Sequence, residues 1–235
     1  MSQYPAVMPH HGLKPICEDA WYLQGSVDFK PLVRLVRNMV VLRHEGALTL
    51  INSVRLNAKG EAALDVLGKV THVVKIGIHG MDDAYYADRY GATLWDVPGA
   101  DHGDRPQPRV MSAEDLPHPG LSLFLFKDTK RPEAALVLNA GGGVLITCDS
   151  IQHWEPSDLM SLPAKLITKV MGFKHPANIG PPWCKLMTPE GGSLRPDFER
   201  LAALPFQQII GGHGGLCKTN GPALLRATIT RVYGA

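Results

Sequence analysis

The sequence predicts an α/β protein that reads as two halves, and three observations carry that prediction. Strand-like and helix-like stretches alternate, in the order β-β-α-β-α-β over the first half. Apolar runs stop abruptly on chemistry-bearing side chains at three places: His79, Asp149 and His213. The composition, 45% hydrophobic and 20% charged, is ordinary for a globular chain, and 235 residues suit one large domain or two small ones sharing a sheet.

Residues 1–34 read as an N-terminal arm, 35–110 as the first half and 111–235 as the second half of a single domain. The arm carries His10, His11 and a WYLQG segment, and suits an arm or edge strand packed on the domain. A His pair so near a terminus reads as solvated rather than metal-binding. From Asn38 the pattern becomes regular: strand 39–43, a turn at His44-Glu45-Gly46, then strand 47–51. NAKGEAALDVLGKV supplies a helix with Gly68 at its C-terminus. VTHVVKIGIHGMDD then reads as a buried strand through Val73, Val74, Ile76 and Ile78 that delivers His79, with Asp82 and Asp83 close behind. AYYADRYGA continues as a short helix that either aspartate can cap. GATLWDVPG is another strand, followed by a polar loop holding Asp101, His102 and Asp104.

The second half opens with a strand at 121–126. Two more strands, AALVL and VLITCDS, flank Gly141-Gly142-Gly143, which lacks the downstream GK[ST] of a phosphate loop. A helical piece (LPAKLITKVMGF) and Pro- and Gly-rich connections fill 155–192. ERLAALPFQQIIGGHGG then gives a helix, a strand at Gln208 to Ile210 and His213 in a Gly-rich turn, before a C-terminal helix.

The formal charge of +2, with scattered Lys and Arg, implies no polyanionic partner and marks no nucleic-acid surface; a small-molecule substrate is the partner expected. Glu18, Asp19 and Asp28 interrupt every early apolar run, and no window is apolar for the length of a membrane span. Cys17, Cys148, Cys184 and Cys217 form no CxxC and fit a reducing cytoplasm.

His79, Asp149 and His213 all precede loops, so they can gather at one sheet edge, and imidazole with carboxylate suits zinc or iron. Asp83 and His153 each stand four residues beyond one of them. The bland alternative is that the three residues only hydrogen-bond to loops and tie the halves together.

Three segments resemble the metallo-β-lactamase superfamily over roughly residues 35–232. VLITCDS is similar to its late strand ending in a metal-binding Asp, IIGGHGG to the turn supplying its last His, and KVTHVVKIGIHGMDDAYYADRYGATLWDVPG to the segment carrying HxHxDH. NMVVLRHEGALTLINSVRLNAKGEAALDVLGKVTHVV resembles an uncharacterised branch with a single His after this strand. The resemblance implies a four-layer αββα sandwich. It also implies a metal-dependent hydrolase of a small ester, amide, thioester or lactone. The motif is degenerate: with His79 as its first His, Met81 and Ala84 occupy the other His positions and only Asp83 matches. No GHT-type His precedes the second-half hairpin; His118 is distant and residues 130–133 are Lys-Arg-Pro-Glu.

The expected centre is therefore a single Zn (alternatively Fe) held by His79, Asp83, Asp149 and His213, with His102, Glu133 or His153 as further candidates. Asp83 doubles as a candidate base, and His102 and His153 as groups for substrate contact or proton transfer. Glu133 reads as a strand-edge charge. Strand alternation puts Cys148 on the side opposite Asp149, as an inert buried thiol. Trp154 and Trp183 are candidates to line a cleft. The competing expectation is a catalytically inactive, metal-free member of the fold serving as a ligand-binding protein or scaffold.

Overall fold

Apolar residues that alternate with period two give a strand two usable faces, and here both faces of both sheets are covered. The computed structural model describes residues 4–101, 107–173 and 175–234. Among these, the first sheet holds β1 (Lys14–Cys17), β2 (Ala20–Lys30), β3 (Val33–His44), β4 (Ala47–Ile51), β5 (Lys69–Val74), β6 (Thr93–Asp96) and β7 (Arg109–Val110), adjacent in chain order. β1 to β4 run antiparallel, whereas β4 to β7 run parallel. The crossovers from β4 to β5 and from β5 to β6 are made by α1 (Ala58–Leu67) and α2 (Asp83–Tyr90).

The second half contributes β8 (Leu121–Leu125), β9 (Ala134–Leu138) and β10 (Val144–Ile146). A short antiparallel pair comes next, β11 (Ile151–Gln152) and β12 (Asn178–Ile179), with α3 (Leu162–Val170) between them. Then come α4 (Pro181–Met187), α5 (Arg195–Ala202), β13 (Gln208–Ile210), β14 (Leu216–Cys217) and α6 (Gly221–Tyr233). The second sheet has the order β14-β13-β10-β9-β8.

Neighbouring residues on one strand go to different layers. Val40, Ile51 and Val74 face Leu136, Ile146 and Ile210 between the sheets. Val41, Leu50 and Val73 turn outward against Leu64 of α1 and Tyr86 of α2. Val137, Leu145 and Ile209 turn outward against Trp183, Phe198 and Leu225 of α4, α5 and α6. The result is the four-layer αββα sandwich. At roughly 1.5–3 kcal/mol per fully buried side chain, the layer between the sheets is the main cohesion of the two halves.

Two local differences from the sequence reading matter for the site. β1 is the edge strand that the reading allowed, but residues 20–30, read with it, form β2 inside the sheet, paired with β3 along most of its length. The sheet also ends at Val74 rather than continuing to His79. Beyond it, Lys75 N–H still donates to Trp95 O, but Ile76 O accepts from Ala134 N–H at the start of β9. The chain thus leaves the first sheet and leans on the second before reaching His79.

Asn38 in β3 fastens the halves from the other direction. Its Nδ2 donates to Gly211 O at 2.8 Å and its backbone N–H to Gly212 O at 2.8 Å. Asn38→Ala is expected to cost about 1–2 kcal/mol, because the Gly211 carbonyl loses its buried donor. A shift in the urea midpoint measures this, and an unchanged midpoint would contradict it.

Candidate metal centre

Parallel strands present side chains beyond their carboxyl ends, and three such ends meet here. β10 and β13 are parallel neighbours. Their continuations stay paired, with Gly212 N–H donating to Cys148 O at 2.7 Å. Asp149 and His213 are thereby brought side by side. A Cβ on Gly211 would stand 2.3 Å from Ile151 O, so only glycine lets the His213 turn pass so close to β11. His79 arrives from the segment after β5.

His79 Nε2 lies 2.9 Å from His213 Nε2 and 3.0 Å from Asp149 Oδ1, and His213 Nε2 lies 3.2 Å from the same oxygen. Asp149 and His213 are each 8% exposed, whereas the His79 side chain is 35% exposed and forms the mouth. His213 Nδ1 donates to Val36 O at 2.5 Å, which leaves Nε2 to face the other donors. Trp154 stacks on the His213 ring at 5.8 Å and donates from Nε1 to Gln152 Oε1 at 2.6 Å. Gln152 Nε2 in turn donates to Asp149 Oδ1 at 3.1 Å.

These contacts set the charges. Burial alone would raise the Asp149 carboxyl, but the His213 and His79 imidazoles outweigh it and hold Asp149 far below the usual carboxylate range. Burial works against a charged His213, yet Asp149 and the Val36 carbonyl overcome it and raise its pKa.

The donors fit a metal ion. Tetrahedral zinc with nitrogen or oxygen ligands at about 2.0–2.1 Å needs those ligands roughly 3.3 Å apart. The observed triangle needs to open by only a few tenths of an ångström to accept an ion above its plane.

Asp83 is placed differently. Ser53 Oγ donates to its Oδ1 at 2.6 Å, and no hydrogen bond joins it to His79, Asp149 or His213. Burial pushes its carboxyl up to about 6, against the pull of the Ser53 hydroxyl and Lys75. Its neighbour Asp82 is ion-paired to Arg37 and accepts Arg55 N–H at 2.9 Å. His153 aligns its backbone with Gly214, while its Nε2 pairs with Glu155 at 3.1 Å. His102 lies outside the described residues. His10 Nε2 accepts the Asn57 N–H at 3.0 Å, and His11 pairs with Asp158 at 2.9 Å. His118 packs edge-on against His44, at the end of the first sheet away from His79.

Two residues depart from the sequence reading. Glu133 is no strand-edge charge: it is 1% exposed, and burial, reinforced by the nearby Asp149, pushes its carboxyl well above the usual range. Cys148 is not directed away from Asp149, because β10 ends at Ile146 and strand alternation no longer governs the residues beyond it. Its Sγ, a His79 ring nitrogen and an Asp149 carboxylate oxygen lie within 4.8 Å of one another. Burial, then Asp149 and Glu133, push the Cys148 thiol well up.

No protein-family model and no curated protein matches the sequence. Solved structures do. The metallo-β-lactamase FIM-1 from Pseudomonas aeruginosa, in its mono-zinc form, is 12% identical with a TM-score of 0.65, over 97% of this chain and 98% of that one. A metallo-β-lactamase from Pontibacter korlensis is 14% identical with a TM-score of 0.64, over 97% and 100%. One from Hirschia baltica is 13% identical with a TM-score of 0.62, over 94% and 96%. At such low identity the likeness speaks for architecture, and it runs almost end to end: the chain has the metallo-β-lactamase fold.

Proposed function

We propose that the chain is a metallo-hydrolase with one Zn or Fe ion held by His79, Asp149 and His213, acting on a small ester, amide, thioester or lactone. The observation that supports this best is the triangle of three donor atoms, with edges of 2.9, 3.0 and 3.2 Å, at the carboxyl ends of the strands. A bound ion of this kind supplies Lewis acidity and lowers the pKa of water toward neutrality. The protein's own part is orientation. Val36 fixes the His213 tautomer, and Trp154 holds Gln152, which holds Asp149. A groove of about 430 Å³ is lined by Trp154, which stacks on His213, together with Phe173, Lys165 and Lys169 among others. That lining, with two lysines against the one carboxylate of Glu155, suits an apolar substrate carrying a negative charge. Asp83 is left out of the ligand set because its hydrogen bond goes to Ser53 and none joins it to His79, Asp149 or His213.

The metal-free alternative has one observation in its favour: Asp149 Oδ1 is already shared by His79, His213 and Gln152, a network complete without an ion. Metal analysis of untagged protein decides between them. About one equivalent of Zn or Fe is expected, lost in the His79→Ala/His213→Ala double variant. Wild-type protein that is folded, metal-free and impossible to reload would sink the hydrolase reading.

A further inference from the structure

Two more buried groups lie beside Asp149: Glu133, which feels its charge, and Cys148, next to it in the chain. Glu133 is 1% exposed, and neither of its carboxylate oxygens makes a hydrogen bond. The Trp183 indole faces it, but Trp183 Nε1 is likewise unpartnered. A buried carboxylate normally has donors or a cation against it, and the other charge felt at Glu133 is the like charge of Asp149. Cys148 is fully buried, with the backbone N–H groups of Ile78 and His79 facing its sulfur.

Glu133 and Cys148 also face a common gap. A Cβ at Gly77 would stand 2.7 Å from Glu133 Oε2 and 3.0 Å from Cys148 Sγ, so glycine at this position keeps the space between them open. The same sulfur is within 4.8 Å of donor atoms of His79 and Asp149. Thiolate, carboxylate and imidazole in one cluster select a borderline divalent cation such as Zn²⁺, Fe²⁺ or Co²⁺ over Mg²⁺ or Ca²⁺.

We propose that Cys148 and Glu133 are ligands of this centre, supplying a thiolate and a carboxylate to a borderline divalent cation held beside Asp149. This deepens the reading of the chain as a metal-binding protein and rests on it. The thiol proton leaves to solvent as the cation enters.

The test is a Co²⁺ titration of untagged, metal-free full-length protein under argon, read by absorption spectroscopy. A near-ultraviolet thiolate-to-cobalt charge-transfer band is expected alongside the visible d–d bands. It should vanish in Cys148→Ser, and in Cys148→Ala should the serine variant fail to fold. In Glu133→Gln, half-saturation should need about tenfold more cobalt or beyond. Visible bands without the charge-transfer band, and an unchanged Glu133→Gln titration, would overturn this proposal while leaving the His79–Asp149–His213 site standing. No cobalt bands at all would remove both.

Discussion

Arg37→Met is expected to destabilise the protein by about 3–5 kcal/mol, the scale for breaking a buried ion pair from one side. The Arg37 and Asp82 side chains are only 11% and 6% exposed. Arg37 Nη2 also donates to Ser53 O at 2.7 Å. Without the guanidinium, Asp82 keeps, among the described residues, the Arg55 backbone N–H as its donor in a site that water barely reaches. Replacing both partners is a different experiment. An Arg37→Met/Asp82→Leu double variant should recover most of the loss, because an apolar pair of similar volume is often neutral. Urea unfolding at pH 7.5 reads both. A single variant within 1 kcal/mol of wild type, on the order of a surface pair, would show that solvent screens Asp82 after all.

The adjacent carboxylate should respond in the opposite direction. Asp83 has its pKa raised to about 6 by burial, above the 3.8 of an ordinary Asp. Between those values the folded protein keeps a proton that the unfolded chain has released, so stability falls as pH rises across that window. Below it no penalty exists; above pH 6 the penalty is complete, roughly 3 kcal/mol. Asp83→Asn keeps an oxygen for the Ser53 hydroxyl and removes the charge. The variant should therefore be more stable than wild type by about 2–3 kcal/mol at pH 7.5 and should converge with it near pH 4. Unfolding curves that stay parallel across this range would mean that Asp83 titrates normally.

The contrast between these neighbours shows where sequence reasoning stops. Both aspartates are visible as a pair behind a strand, but their fates depend on Arg37 in β3 and on Ser53, some thirty residues away in the chain. The layers are legible because Val40 and Val41, or Ile209 and Ile210, state their two faces by alternation alone. Strand β2 is less so: Gly25 has no side chain with which to declare a face, and its place is explained only by Val54, whose Cγ1 would lie 2.4 Å from an added Cβ. His79, Asp149 and His213 stand out because apolar runs end near them. Cys148 escapes such reasoning because strand rules do not hold past Ile146, and Glu133 is visible only as one further candidate because nothing local announces the Trp183 indole that faces it.

One consequence concerns folding. His79 comes from the first half, Asp149 and His213 from the second, and the Val36 carbonyl that steers His213 from the first again. The donor set belongs to the seam, and neither half contains it alone. An ion bound there would act as a latch across that seam, opposing separation of the halves by RT ln(1 + [M]/Kd), about 4 kcal/mol at a thousandfold excess over Kd. Metal supply would then set how often the sandwich opens, and amide exchange along the Asn38–Gly212 seam should slow as metal is added.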